Sequence, residues 1–267
     1  MTVPQLPETI DFAMDGEVAV LHLNRPQKRN AIDLSIIHGL KLFFATLDSA
    51  MIKAVVIAGR GEHFSAGLDL SELRETSVEE GLRHSLQHHK TFQEIQFAEV
   101  PVICVLHGAV VGAGLELASS THIRVAERST YYGLPEGRRG IFLGGGGSVR
   151  LSRLIGVSRV TDMMMTGRTV DAQEGYLFGV SQYLVEAGEG LAKGLALARA
   201  AAANAPLSNF AMIQALPHIA EMSPQEGLFT EALMVGIAQG SDAAKERLRA
   251  FLEGRAAKVA PPGAAGG

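Results

Sequence analysis

The sequence has one cysteine, Cys104, no tryptophan and only four tyrosines in 267 residues. A single thiol excludes an intramolecular disulfide and any multi-cysteine zinc or iron–sulfur site, a usage that fits a reducing compartment and a cytoplasmic location. No stretch reaches the ~18 consecutive apolar residues of a membrane span, because the long apolar run 100–111 is interrupted by Pro101, His107 and Gly108. An excess of one charge is also missing: 24 Lys+Arg stand against 28 Asp+Glu, a net −4. Neither a phosphate backbone nor an acidic bilayer is expected as a partner on that balance. No arginine precedes Arg25, and residues 1–17 lack a basic start followed by an apolar block, which speaks against a secretory or mitochondrial presequence.

What is present describes a globular chain, with 47% hydrophobic and 19% charged residues. A chain of this length removes roughly 70–75% of its unfolded surface from water and suits one large domain, alone or with an appendage. Residues 18–23, 54–58, 102–106 and 123–125 are short Val- and Ile-rich runs bounded by Gly, Pro, Asn or charged residues, and they read as strands. Between them, residues 35–47 carry apolar positions at helical spacing. Ser77-Val-Glu-Glu80 is a capping box opening a polar helix to about Phe97. Asp171-Ala-Gln-Glu174 and Ser223-Pro-Gln-Glu226 open two more helices, and from Gly188 onward Ala, Leu, Glu and Lys dominate. Strands alternating with helices to about residue 187, then helices alone, predict an α/β core with a helical C-terminal extension.

Several motifs fail on spacing. Gly112-Ala-Gly114 begins like a dinucleotide fingerprint, but its third glycine position is Leu117, and the run 144–147 has Val149 there. No Gly-Lys-Ser/Thr follows a glycine-rich turn, so a phosphate loop is absent. Ser65 and Ser148 each lack one flanking glycine of the nucleophile elbow and read as turn or cap serines. His84 and His88 share a helix face, yet no acidic residue of a metal motif separates them and no third ligand is indicated; a solvated or entrance-lining face is the plainer reading, and no metal is expected. Cys104, inside an apolar run, reads as a small buried sulfur, and the nine methionines read as packing.

Three segments are left over: His63-Phe-Ser-Ala-Gly-Leu-Asp-Leu70, Gly108-Ala-Val-Val-Gly-Ala-Gly-Leu-Glu-Leu117, and the stretch from Leu134-Pro-Glu136 through the four glycines 144–147 to Leu151. A strand followed by a Gly/Ala-rich turn and a helix can aim a free backbone N–H into a cavity, and two such N–H groups form an oxyanion hole; either segment alone reads equally as a packing turn. Glu116 lies in an otherwise apolar helix, where a carboxylate is costly unless hydrogen-bonded or functional. Glu136, twenty residues on, reads by itself as a surface loop residue.

Together with Leu23-Asn-Arg-Pro-Gln-Lys-Arg-Asn-Ala31, and in this order, these segments resemble the crotonase (enoyl-CoA hydratase/isomerase) superfamily over nearly the whole chain. The resemblance implies an α/β fold: a spiral of repeated ββα units holding the active site over residues 1–195, then a helical region over 196–267 that builds trimers, pairing as hexamers. It implies a coenzyme A thioester as substrate and no other cofactor. The oxyanion-hole amides would be those of Leu68 and Ala113, aided by the dipole of the helix starting near Gly112. Glu116 and Glu136 would hold a water, add it across C2–C3 of an enoyl-CoA and protonate C2, with Gly144, at the start of the next helix, helping to hold that water. Lys28 and Arg29 match basic positions near the CoA phosphates, although such a pair reads equally as solvated, and Ala66, Asp69 and Leu70 match backbone contacts to the adenine. Retention of both glutamates implies a hydratase.

The sequence also departs from the family pattern. Ala113 stands where glycine is common, Leu68 replaces a small residue, and Gly137-Arg138-Arg139 replaces an apolar stretch, which implies a small or polar acyl pocket. In these features the chain is similar to hydratases of short β-substituted acryloyl-CoAs such as methylthioacryloyl-CoA, where thioester hydrolysis at the same site is a further outcome. Isomerase, thioesterase or dehalogenase activity stays open, since an oxyanion hole serves any enolate or acyl intermediate. RNA binding, found in some relatives, would call for a basic stripe, and no Lys/Arg run exceeds two residues.

Overall fold

The Val- and Ile-rich runs fold as strands. This computed structural model describes residues 5–69, 71 and 77–255, and over them the strands are Ile10–Asp15 (β1), Val18–Leu23 (β2), Ala54–Gly59 (β3), Val102–Leu106 (β4), Ala109–Val111 (β5), Ile123–Glu127 (β6), Tyr131–Gly133 (β7), Thr169–Asp171 (β8) and Tyr183–Val185 (β9). One six-stranded sheet has the order β1-β2-β3-β4-β6-β9, antiparallel only at the β1–β2 hairpin, and a three-stranded sheet has the order β5-β7-β8. The central strands β3 and β4 are apolar throughout because both faces are covered. Leu21, Ile57, Cys104 and Leu106 face one buried cluster, and Val20, Val56, Ile103 and Val105 face a second. Cys104 is fully buried, and burial pushes its thiol far above the ordinary range, as expected of an inert core sulfur.

Helices cover these strands, and the expected capping chemistry starts them. Leu34–Ala45 (α1) is capped by Asp33, and Val78–Gln96 (α2) opens with the complete Ser77/Glu80 capping box. Ala113–Ser119 (α3) follows β5, Gly147–Ile155 (α4) and Val157–Thr166 (α5) follow the glycine run, Asp171 caps Ala172–Phe178 (α6), and Gly190–Ala202 (α7) packs on β3 and β4.

The connectivity is a spiral. Each turn contributes one strand to the large sheet and then a second segment to the small one. After β3, Ser65 bridges in parallel to Val110 of β5; after β4 comes β5; after β6 comes β7, which pairs in parallel with β5. The residues that leave the second segment of successive turns are therefore stacked: 66–69, then 112–113, then 134–136. This stacking positions the site.

The described residues form two compact units, one up to Ala203 and one from Asn204. The second is all helical: Pro206–Phe210 (α8), a π-helical turn over Ala211–Ala215, Leu216–Ile219 (α9), Pro224–Gly240 (α10) with the expected Ser223/Glu226 capping box, and Asp242–Leu252 (α11).

Candidate active site

The first two stacked turns each depend on a glycine that no other residue replaces cheaply. Gly67 has φ +98°, and a Cβ there would lie 2.9 Å from the Val111 carbonyl oxygen and 3.8 Å from the Ala113 nitrogen. Gly112 has φ +50°, and a Cβ there would lie 2.6 Å from Glu136 Oε1. These close approaches bring the peptide leading to Leu68 against the start of α3, with the Glu136 carboxyl over Gly112. Gly67 donates to Ser65 Oγ at 3.2 Å, so Ser65 is the turn serine the sequence suggests. Among the described residues, neither the Leu68 N–H nor the Ala113 N–H has a protein acceptor. Both residues line one cavity of about 770 Å³, a size suited to an organic ligand.

Glu116 and Glu136 line the same cavity and are 3% and 7% exposed. Glu136 is therefore not the surface loop residue that sequence alone suggests. It opens a short 3₁₀ turn, Glu136–Arg139, of which it is the buried residue. The two carboxyls differ in their partners. Glu116 Oε1 accepts the N–H groups of Gly145 and Gly147, each at 2.8 Å. Glu136 Oε2 is buried and, among the described residues, has no hydrogen-bond partner. Burial pushes both above the ordinary carboxylate range. For Glu116 this is opposed by the amides of Gly147 and Gly145 and by the Arg150 guanidinium. For Glu136 the relief from its own amide and from Arg139 is outweighed by burial and the neighbouring Glu116 charge, and its carboxyl is pushed up to about 7.

Gly144 also lines the cavity, but it does not start a helix. Gly146 is the N-cap and α4 begins at Gly147, because the preceding glycines bend their amides toward Glu116 instead of entering the helical ladder. From α2, His84, Ser85 and His88 face the cavity. The His rings are 4.3 Å apart, and burial lowers the His88 pKa to about 4, so that ring is neutral. Among the described residues, no group of His, Cys, Asp and Glu is placed to hold a metal ion, and no helix is long and apolar enough to cross a membrane.

Of the expected CoA-handle residues, Lys28, Arg29, Ala66 and Asp69 lie outside the cavity lining. Lys28 and Arg29 are exposed on a loop in which Arg29 and Asn30 have φ 51° and 53°. Buried Asn30 ties that loop to the carbonyls of Arg60 and His63, and the Ala66 amide donates to the Arg29 carbonyl at 3.0 Å. The Asp69 carboxylate is engaged by Ser71 and by Arg25 at 2.7 Å, which hold it well below its usual range. Its amide donates to the Ile32 carbonyl at 2.9 Å. Leu70 lies outside the described residues. Arg139, from the Gly137-Arg138-Arg139 stretch singled out in the sequence, lines the cavity, whereas the sequence reading missed Arg150, whose side chain reaches the glycine run from the first turn of α4.

Comparison with known proteins agrees with this geometry. Residues 13–260 match the family model described as Enoyl-CoA hydratase/isomerase. A short-chain-enoyl-CoA hydratase of Clostridium acetobutylicum is 30% identical over 243 residues, covering 90% of this chain and 93% of that protein. A probable enoyl-CoA hydratase of Bacillus subtilis is 33% identical, covering 92% and 96%. The crystal structure of a putative enoyl-CoA hydratase from Rhodopseudomonas palustris superposes with a TM-score of 0.90 at 55% identity, covering 92% of this chain and 95% of that one. With a spiral α/β core, a helical C-terminal region and a family match over most of its length, the chain belongs to the enoyl-CoA hydratase/isomerase family, the crotonase superfamily, and is an enzyme of that family.

Proposed function

We propose that this enzyme hydrates the C2–C3 double bond of a short or β-substituted 2-enoyl-CoA. The observation that carries the reading is the burial of two carboxyls, from different turns of the spiral, in one cavity beside two backbone N–H groups that have no acceptor among the described residues. A thioester oxygen held by the amides of Leu68 and Ala113 is polarised, which makes C3 electrophilic and stabilises the enolate. One such donor is worth about 3–4 kcal/mol in the transition state.

The partners of the two glutamates divide the acid and base roles. Glu116, which accepts two N–H groups and faces Arg150, is the better carboxylate and takes the proton of the attacking water. Glu136, with an unpartnered oxygen and its pKa pushed to about 7, is the neutral acid that delivers its proton to C2. The hydroxyl adds to C3, the enolate collapses as C2 takes the proton, and the proton gained by Glu116 must return to solvent or to Glu136 before the next turnover. The Gly144 amide faces Glu116 and helps hold the water.

Arg139 and Phe142 at the cavity wall favour a compact or heteroatom-bearing acyl group over a long alkyl chain. With methylthioacryloyl-CoA the hydration product is a hemithioacetal, which collapses to an aldehyde and methanethiol; attack of water on the thioester carbonyl at the same site gives hydrolysis. Lys28 and Arg29 serve the CoA phosphates, and the carbonyls of Ala66 and Asp69 accept from the adenine amino group. Exposed Leu228, Phe229, Leu233, Leu248 and Phe251 on α10 and α11 support assembly into trimers.

Mixing the protein with crotonyl-CoA or methylthioacryloyl-CoA and following loss of the conjugated thioester absorbance tests the reading. Glu116→Gln and Glu136→Gln should each lower the rate about 10²–10⁴-fold with the fold retained. Unchanged rates in both variants would refute it.

A further inference from the structure

Ser85, on α2, donates its hydroxyl to the Gly144 carbonyl oxygen at 2.8 Å, a contact across 59 residues of sequence. The Gly144 carbonyl belongs to the same peptide group as the Gly145 N–H, and that N–H donates to Glu116 Oε1 at 2.8 Å. Ser85 Oγ also lies 3.3 Å from His89 Nε2. A serine has one hydroxyl proton and a carbonyl can only accept, so the proton goes to Gly144, and His89 Nε2–H donates to Ser85 Oγ. Every donor therefore points the same way, from His89 through Ser85 and one peptide group to the carboxylate.

The rest of the glycine run is held by the same helix. Phe92, fully buried, occupies the space where a Cβ of Gly145 would fall, 2.8 Å from its ring. Arg150 donates to the Gly145 carbonyl at 2.9 Å and to Gln96 Oε1 at 2.7 Å. Ser85, His89, Phe92 and Gln96 recur at three-, four- and seven-residue spacing, so one stripe of α2 grips the loop.

We propose that Ser85 is a positioning residue for Glu116, acting through the Gly144–Gly145 peptide group and steadied by His89. A hydroxyl bonded to the carbonyl polarises the peptide and strengthens its N–H as a donor, as in other hydrogen-bonded chains. It also fixes the rotation of a peptide group between two glycines, which have no side chains of their own to do so. The proposal rests on the hydratase reading only for its kinetic consequence; its electrostatic consequence is independent of any substrate.

The test therefore has two arms, on wild type, Ser85→Ala and Ser85→Thr. In the first, 13C-labelled glutamate carboxyls are titrated by NMR, with the Glu116 signal assigned by its absence in Glu116→Gln. Glu136 and Arg150 are the charged groups facing Glu116, and the Glu136 titration is followed in the same spectra. Ser85→Ala should raise the Glu116 midpoint by about half a pH unit, roughly a threefold change in its ratio of ionised to neutral form, and Ser85→Thr should restore it. In the second arm, Ser85→Ala should lower kcat on crotonyl-CoA roughly 3–10-fold, move the acid limb of the pH profile up by the same half unit and leave KM within twofold. Alanine favours helix, so loss of α2 is not expected to confuse the result. An unmoved Glu116 midpoint in Ser85→Ala overturns the proposal. A moved midpoint in a protein that hydrates no enoyl-CoA supports it and refutes the hydratase reading instead.

Discussion

Replacing Gly112 by alanine separates the cost to stability from the cost to catalysis. Gly112 has φ 50° and ψ −122°, a region that side chains other than hydrogen scarcely enter, so the backbone strain is about 1–3 kcal/mol. The new methyl would start 2.6 Å from Glu136 Oε1, whereas ordinary contact begins at 3.4 Å, so the carboxyl must retreat by ~0.8 Å. Relief is cheap because the clash is with the end of a flexible side chain, but that end is the proposed proton donor. A misplacement near 1 Å at a reacting group costs about 10²-fold in rate. The variant should stay folded, lose roughly 2–10 °C of melting temperature, and show kcat about 10² lower on crotonyl-CoA with KM little changed. Gly16→Ala is the control: it too places a side chain at a positive φ, +61°, yet nothing lies within 4 Å of the added Cβ. A folded Gly112→Ala with wild-type kcat, or an equal loss of kcat in Gly16→Ala, would refute the placement of Glu136 over Gly112.

Two further outcomes follow from the buried titrating groups. The Glu136 carboxyl, at about 7 in the fold against an ordinary 4.5, binds a proton in the folded chain that the unfolded chain releases, so stability is lost as pH rises from about 4.5 to about 7. Glu136→Gln removes that loss and should stabilise the protein by about 1–3 kcal/mol at pH 8 and little at pH 4.5, measured by urea unfolding; equal effects at both pH values would contradict the burial argument. His88 behaves in the opposite sense: at about 4 in the fold against 6.5 unfolded, it makes the protein lose up to about 3 kcal/mol as pH falls from about 6.5 to about 4. His88→Phe, which keeps a ring against Phe92, should flatten that slope, and an identical slope in the variant would show that another group causes it.

Much of the architecture was legible in short-range pattern. The four Val/Ile-rich runs are β2, β3, β4 and β6, and the capping residues Ser77, Asp171 and Ser223 start the helices they signal. β5, β7, β8 and β9, at three residues each, are too short to show an alternation, and their existence depends on partners brought from other turns of the spiral. The expected helix start at Gly144 fell three residues early, because a glycine's amide goes to the strongest acceptor within reach and here that is a distant carboxylate. Ser85 and Arg150 carried no signal of their own as hydroxyl and cation; only their partners, Gly144 and Gly145, reveal what they do.

By itself the order of residues determined the Val- and Ile-rich strands and the capped helices, where the backbone must turn through glycine, and which two acids stand in apolar or glycine-rich surroundings. These are local properties, decided by sterics, capping and side-chain type within a few positions. Only the tertiary structure decided that Glu136 is buried, that it faces Glu116 across one cavity, and that the amides at 68 and 113 have no acceptor among the described residues. Burial and charge coupling depend on which groups the stacked turns of the spiral exclude from water, and no spacing along the chain contains that information.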